Sequence, residues 1–296
     1  MTDLLLSEAE KMFIIHGVQD NLRVDGRSCD DYRHIELETD VVSSANGSAR
    51  LKLSQTDVLV GVKADLTTPP TDNPDVGTLE FFVDCSANAA PTFEGRGGED
   101  LARDISSTLA RAYSSDRCSS SMLKALCVVP SEQCWVLYID ILILECGGSL
   151  YDAVSIAVKA ALSSTKVPVV KVTSSDGGKP ELELSDDPYD SLRINVKHAP
   201  CNVTLSKIGH SHVVDASLEE EVCSLASLMM AVTEEGTVTM LKKSACGSLH
   251  PESIYEMLET GKNVGLNLNK QLTRQLLDEE CLHTQMGTNR EPKGFL

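Results

Sequence analysis

Aromatic side chains make up only 4% of this 296-residue chain, with a single tryptophan, and cations are short as well, with 26 basic against 44 acidic residues. The first shortage leaves no evident platform of rings on which nucleic-acid bases would stack. The second gives a formal charge of −18, which excludes a protein that binds nucleic acid by itself through a broad basic face. Any RNA contact must then be local or shared with partners. No Cys-x-x-Cys pair occurs among the ten cysteines, and Cys127, Cys134 and Cys146 lie in apolar runs, so buried free thiols in a reducing compartment are expected in place of a disulfide framework. His210 and His212 near Cys201 and Cys223 fit no common zinc spacing, and neither a metal nor a cofactor is expected. No run approaches the roughly 18 apolar residues of a membrane span, and the opening MTDLLLSEAE is too acidic and its apolar start too brief for a signal segment. The expectation is a soluble intracellular protein without membrane contact.

The 42% apolar content is enough to bury a core in one large domain or two modest ones. Ser7 with Glu10 predicts a capping box and an N-terminal helix. After RVDGR at 23–27 the period changes: His34 to Glu38 alternates, Ala49 to Leu53 alternates after Asn46-Gly47, and Thr56 to Val62 follows as a strand. Leu79 to Val83 reads as a strand, Glu99 to Tyr113 as a helix, Val128-Val129 and Trp135 to Leu144 as strands, and Tyr151 to Leu162 as a helix of small residues. A polar stretch from Val172 to Tyr189 predicts a connection. The second half predicts strands at Leu192 to Val196, Asn202 to Ile208 and His212 to Asp215, a helix at Glu219 to Met230, a short hairpin near Glu235-Gly236, and a final helix opening at Pro251 and continuing past Gly261 and Gly265. Strands with covering helices, given twice, predict an α+β layered fold and not a doubly wound sheet. The division expected is an N-terminal helix at 1–22, a first subdomain at 23–168, a polar connection at 169–191, a second subdomain at 192–262, and a C-terminal helix and tail at 263–296.

Several of these stretches carry a family likeness. RVDGR at 23–27, Gly47-Ser48-Ala49 followed by Thr56 to Val62, and Glu145-Cys146-Gly147-Gly148-Ser149 before a helix resemble the ordered landmarks of RNase PH. Glu80 to Asn88, Phe93 to Gly98, Ile156 to Leu162, Glu183 to Asp190 and Pro251 to Ile254 narrow the likeness to the RNase PH-like ring subunits of the eukaryotic RNA exosome, over about residues 5–265. The resemblance implies two subdomains of the βαβ-rich, ribosomal-protein-S5-like type, with helices on mixed sheets. It implies a hexameric ring shared with related subunits, cap proteins bearing S1 and KH domains, and RNA threading the pore to a separate nuclease. It implies a role in 3'-to-5' RNA processing and degradation, including rRNA maturation and mRNA and non-coding RNA turnover, in nucleus, nucleolus and cytoplasm.

The same resemblance bears on catalysis. A glycine turn between a strand end and a helix start directs backbone N–H groups at an anion, which suits the phosphate of phosphorolysis. Active relatives read Asp-Gly-Gly-Thr-Arg where this chain has Cys146-Gly147-Gly148-Ser149-Leu150, so the acid and the phosphate-clamping arginine are both replaced. The plainer reading of Ser149 is an N-cap with Asp152 as its capping-box partner. Active relatives also carry two acids six residues apart, a spacing that Asp215 and Glu221 reproduce, although Glu219 to Glu221 is equally an acidic helix start. A non-catalytic subunit is therefore expected, with a phosphate-dependent 3'-to-5' exoribonuclease as the alternative. Arg96, Arg103 and Lys63 are the candidate RNA-contact cations, although Glu99 and Asp100 would serve the two arginines as ordinary salt-bridge partners.

Overall fold

In the computed structural model, which describes residues 5–70, 73–115, 122–173, 181–184, 190–285 and 293–295, two sheets enclose a helix between them. Helix α1 (Glu8–Gln19) opens the chain through the expected capping box, Ser7 Oγ accepting from Glu10 N at 3.3 Å and Glu10 Oε2 accepting from Ser7 N at 2.7 Å. The first sheet holds β1 (Ile35–Thr39), β2 (Gly47–Leu53), β3 (Thr56–Thr67), β4 (Thr78–Cys85), β5 (Cys127–Val129) and β6 (Gln133–Glu145). Its order is β1-β2-β3-β6-β4, antiparallel except for β4 beside β6, and β5 pairs with β6. Helix α2 (Glu99–Tyr113) makes the crossover between the parallel pair and packs against β4. Val58, Val60 and Val62 point into the core while Leu59, Gly61 and Lys63 point away, as period-two alternation requires.

Helix α3 (Leu150–Ser164) lies on β2 and β3 and, on its other side, on β11 (Cys201–Ile208) of the second sheet. Twelve of its fifteen residues are buried, which explains its small and apolar composition all the way round. Each fully buried side chain such as Ile156 contributes roughly 1.5–3 kcal/mol relative to exposure. A short pair, β7 (Lys166–Pro168) with β10 (Ser191–Arg193), and a hairpin, β8 (Val170–Thr173) with β9 (Glu181–Leu184), fill the connection between the halves. The connection expected at Val172 to Tyr189 is thus partly strand; the rest of it, 174–180 and 185–189, lies outside the described residues.

The second sheet runs β12-β11-β13-β14, with β12 (Ser211–Val214), β13 (Ala226–Val232) and β14 (Val238–Ser244), and the β13-β14 hairpin turns at Gly236. Helix α4 (Leu218–Cys223) is short, and the helix expected at Glu219 to Met230 is corrected: its second half is the central strand β13. Helix α5 (Pro251–Gln285) packs on β11 and β13, and a Cβ at Gly261 would fall 2.6 Å from Met230 Sδ, so a larger residue there would displace the Met230 and Leu205 side chains. The expected boundary at 262/263 falls inside this continuous helix. Strand β15 (Lys293–Phe295) returns to pair with β1.

Two buried ionisable groups sit where α3 meets the second sheet. Lys159 Nζ donates to Ala199 O at 2.9 Å and to Asn269 Oδ1 at 2.7 Å. Asp152 accepts from Thr204 N at 2.9 Å, Thr204 Oγ1 at 2.6 Å and Tyr32 Oη at 3.0 Å, joining the two subdomains. Burial pushes its carboxyl up to about 7, against the pull of those donors. A carboxyl raised in the folded state favours folding below its unfolded pKa and loses that contribution as pH rises through about 7. Urea unfolding of the wild type and Asp152→Asn at pH 4 and pH 8 is expected to show the wild type losing on the order of 4 kcal/mol relative to the variant across that window. An equal gap at both pH values would contradict this.

Candidate functional site

Three segments distant in sequence meet where β6 ends: the glycine turn 147–149, the loop 20–34 between α1 and β1, and residues 214–221 after β12. The loop contributes three arginines. Arg33 donates from Nε and Nη2 to the two carboxylate oxygens of Asp215 at 2.9 and 2.7 Å, and its backbone N–H reaches Oδ2 at 2.8 Å. The same guanidinium binds the turn, Nη1 to Gly147 O at 2.8 Å and Nη2 to Gly148 O at 3.1 Å. Arg27 Nη1 adds a 3.0 Å contact to Asp215 Oδ2. Arg23 forks onto Glu220 and also donates to Val214 O at 2.9 Å and Asp215 O at 2.7 Å. Asp215 and Glu220 are buried, so these pairs are held by hydrogen-bond geometry and not by loose surface attraction.

With its carbonyls turned toward Arg33, the turn offers its amides to other groups of the chain. Gly147 N donates to Thr56 Oγ1 at 3.1 Å, and Thr56 Oγ1 donates in turn to Gly148 O at 2.8 Å. Ser149 N donates to Glu221 Oε1 at 2.8 Å. Gly148 has φ +97°, and a Cβ there would lie 2.5 Å from Ala216 O, so glycine is required on both counts. Burial pushes the Cys146 thiol up, which keeps it protonated and a poor substitute for a carboxylate.

The predicted capping role of Ser149 is corrected. Ser149 sits at the N-cap of α3 with φ 50° and its hydroxyl makes no cap hydrogen bond; the buried Oγ has no partner, and Asp152 is committed to Thr204 and Tyr32. Left-handed backbone at the cap swings the hydroxyl away from the N2 and N3 amides it would otherwise receive. Leu150 is buried in the apolar core where a phosphate clamp would need a cation.

Asp215 and Glu221 do come together with the turn, but differently from one another. Asp215 spends both oxygens on arginines, in a left-handed backbone conformation, φ 49°, that aspartate tolerates. Glu221 keeps a solvent-exposed face; crowding by the surrounding elements pushes its carboxyl up, countered by the Ser149 N–H and by Arg33. The capping box of α4 uses Glu220, with Ser217. Beyond α3, Lys242 reaches Asp104 at 2.6 and 2.7 Å, and Tyr151 Oη donates to the same carboxylate, a polar link from α2 and α3 to β14.

Arg96 and Arg103 stand at the same end of the first sheet as the turn, exposed, with exposed partners Glu99 at 3.4 Å and Asp100 at 2.9 Å. Lys63 lies elsewhere, roughly 23 Å along β3 from Thr56 at about 3.3 Å per residue and on the sheet face turned away from the core. Among the described residues no three His, Cys, Asp or Glu side chains cluster as a metal site, and His212 Nε2 shares a hydrogen bond with Thr260 Oγ1 at 3.2 Å. Eight of the cysteines are described, all as free thiols. The arginines at 23, 27 and 33 were not singled out from the sequence; three arginines in eleven residues of an acidic chain are the signal that marks them.

The fold and this junction define an RNase PH-type protein. Residues 31–168 match the model of the 3' exoribonuclease family, domain 1, and residues 198–264 match its domain 2, so the chain belongs to the 3' exoribonuclease family. Within that family it is similar to proteins named Rrp42. It is 34% identical over 89% of its length to the putative exosome complex exonuclease RRP42 of Dictyostelium discoideum, covering 95% of that protein. It is 35% identical over 88% of its length to the exosome complex component Rrp42 of Thermococcus kodakarensis, covering 93% of that protein. Among solved structures it superposes on a chain described as Archaeoglobus fulgidus exosome with RNA bound to the active site, with a TM-score of 0.74 and 28% identity, covering 89% of this chain and 97% of the other.

The ion-pair junction gives a direct stability test. Arg33→Met strips Asp215 of its fork and leaves Arg27 as the one cation at the carboxylate beside the residue-33 backbone N–H, with an expected loss of about 3 kcal/mol in chemical denaturation. Arg33→Lys is expected to recover less than half of it, because an ammonium cannot hold the carboxylate and two carbonyls together. A loss below about 0.5 kcal/mol for Arg33→Met would contradict the role assigned to the pair.

Proposed function

We propose that this chain is a non-catalytic RNase PH-type subunit of an exosome ring, supporting 3'-to-5' RNA processing and degradation by helping to form the channel through which RNA is threaded. One observation carries the reading: the amides of Gly147 and Ser149, groups a phosphate would need, are spent on Thr56 and Glu221, while Leu150 supplies no cation. Asp215, the acid that would serve proton transfer, is neutralised by Arg33 and Arg27. The exonuclease alternative draws on the same acids and turn, whose hydrogen bonds are closed internally. The similarity to proteins named as exosome components supports related RNase PH-like subunits as ring neighbours. S1 and KH cap proteins and a separate nuclease complete the proposed assembly, and nucleus, nucleolus and cytoplasm are its proposed locations.

Arg96, with Arg103 one face further along α2, is the proposed RNA contact. Exposed i,i+3 pairs are weak enough for an RNA phosphate to displace. Lys63 stands apart from this path and shares its surface with carboxylates.

Incubated with single-stranded RNA and inorganic phosphate, the purified chain is expected to release no nucleoside diphosphates, and Leu150→Arg alone to restore none, since the amides and Asp215 stay engaged. Phosphate-dependent release that Glu221→Gln abolishes would overturn the reading. In a ring reconstituted with RNase PH-like subunits, Arg96→Glu with Arg103→Glu is expected to reduce ultraviolet crosslinking of RNA to this chain several-fold; unchanged crosslinking would remove these residues from the path.

A further inference from the structure

The outer face of the first sheet carries a hollow that the glycine turn leaves unused. Register brings Leu59, Leu142 and Asp84 into one row across β3, β6 and β4, Gly61, Asp140 and Phe82 into the next, and Lys63, Tyr138 and Glu80 into the third. Gly61 forms the floor: it sits in regular strand, and a Cβ there would meet no atom within 4 Å. The absence of a side chain at the centre of an otherwise filled face opens a hollow of about 450 Å³, within the size range of small-ligand sites.

Its lining is apolar and its rim acidic. Leu59 and Leu142 flank the floor, and Phe82 is 52% exposed beside Tyr138, with ring centroids 6.2 Å apart. Val42, half-buried, closes one side. Around them stand the exposed carboxylates of Asp65, Glu80, Asp84 and Asp140 against the ammonium of Lys63, while Arg50, beside Leu59 on β2, is held by Asp57. Phe82, beside a second ring and the hollow, extends a contiguous apolar patch of the kind that marks interaction sites. A phosphate backbone is repelled by four carboxylates, whereas a cationic chain is attracted and steered by them.

We propose that this face docks an extended basic segment of a partner protein, one apolar side chain filling the hollow over Gly61 and the flanking lysines or arginines meeting Asp84 and Asp140. The apolar anchor supplies affinity and the acidic rim supplies orientation and salt dependence. The docking is independent of the absence of catalysis, because the hollow shares no residue with the glycine turn.

The probe is a fluorescein-labelled peptide, Gly-Lys-Arg-Phe-Lys-Arg-Gly, titrated with the full chain in fluorescence anisotropy, with its Phe-to-Ser counterpart as control. The Phe peptide is expected to bind at least tenfold more tightly than the Ser peptide, and Gly61→Leu to weaken it at least tenfold by filling the hollow with a side chain for which space exists. Asp84→Asn with Asp140→Asn is expected to weaken it several-fold at low salt and to flatten its salt dependence; these exposed positions guard against a folding defect in Gly61→Leu, which circular dichroism would report. Equal binding of the two peptides, indifference to both sets of substitutions, or no binding below millimolar overturns the proposal. So does a single-stranded RNA that binds this face more tightly than the peptide, or self-association of the chain that Gly61→Leu abolishes.

Discussion

A carboxylate removed from water must be met by a cation and by hydrogen bonds at every oxygen, and in this molecule Asp215 is met by Arg33. The guanidinium has donors to spare once the fork onto Asp215 is made, and the nearest acceptors are the carbonyls of Gly147 and Gly148. Pinning those carbonyls fixes the peptide planes of the turn. The Ser149 amide, in the plane of the Gly148 carbonyl, must then face the other way, toward Glu221, with left-handed backbone at Gly148 and Ser149, while Gly147 N is held separately by Thr56. The start of α3, and with it the central helix of both subdomains, is positioned by that one ion pair.

The same residues show how the turn is held by groups of the chain itself. An amide cluster at a helix start binds an anion well only while it is vacant, and here Glu221 fills it from within. The acids that the family resemblance marks as remnants of chemistry are braces: Glu220 receives Arg23, Asp215 receives Arg33 and Arg27, and all three arginines come from one loop preceding β1. Leu150 belongs to the core, so its replacement of an arginine exchanges a ligand contact for packing. The same set of bonds joins the two subdomains and, in the proposed reading, accounts for the absence of catalysis, and the polar link of Asp104, Tyr151 and Lys242 adds to the cohesion.

Local patterns carried most of the elements into view. The capping box at Ser7, the alternation of Ile35 to Glu38, the helix at Glu99 to Tyr113 and the strand ending at Glu145 are written in neighbouring residues, and each was legible for that reason. Strand β13 was not: Ala226 to Val232 is nearly continuous in burial, so it lacks the alternation that marks a half-exposed strand and reads as an extension of the acidic helix before it. The degenerate turn and the acid pair were legible through family likeness, but their use was not. Arg33 and Asp215 lie 182 residues apart, and no local rule joins them. Nor does any local rule show that an N-cap serine will adopt a left-handed backbone, since that follows from carbonyls held by a distant arginine.

The central claim is that the turn is already occupied by the chain's own groups, and the amide of Ser149 reports on this directly. Inorganic phosphate titrated into the ¹⁵N-labelled protein, with the Ser149 amide followed by NMR, is expected to leave that resonance unmoved in the wild type and to shift it in Glu221→Gln, where the acceptor is weakened. A saturating shift of Ser149 in the wild type at millimolar phosphate would show an open anion site and contradict the account.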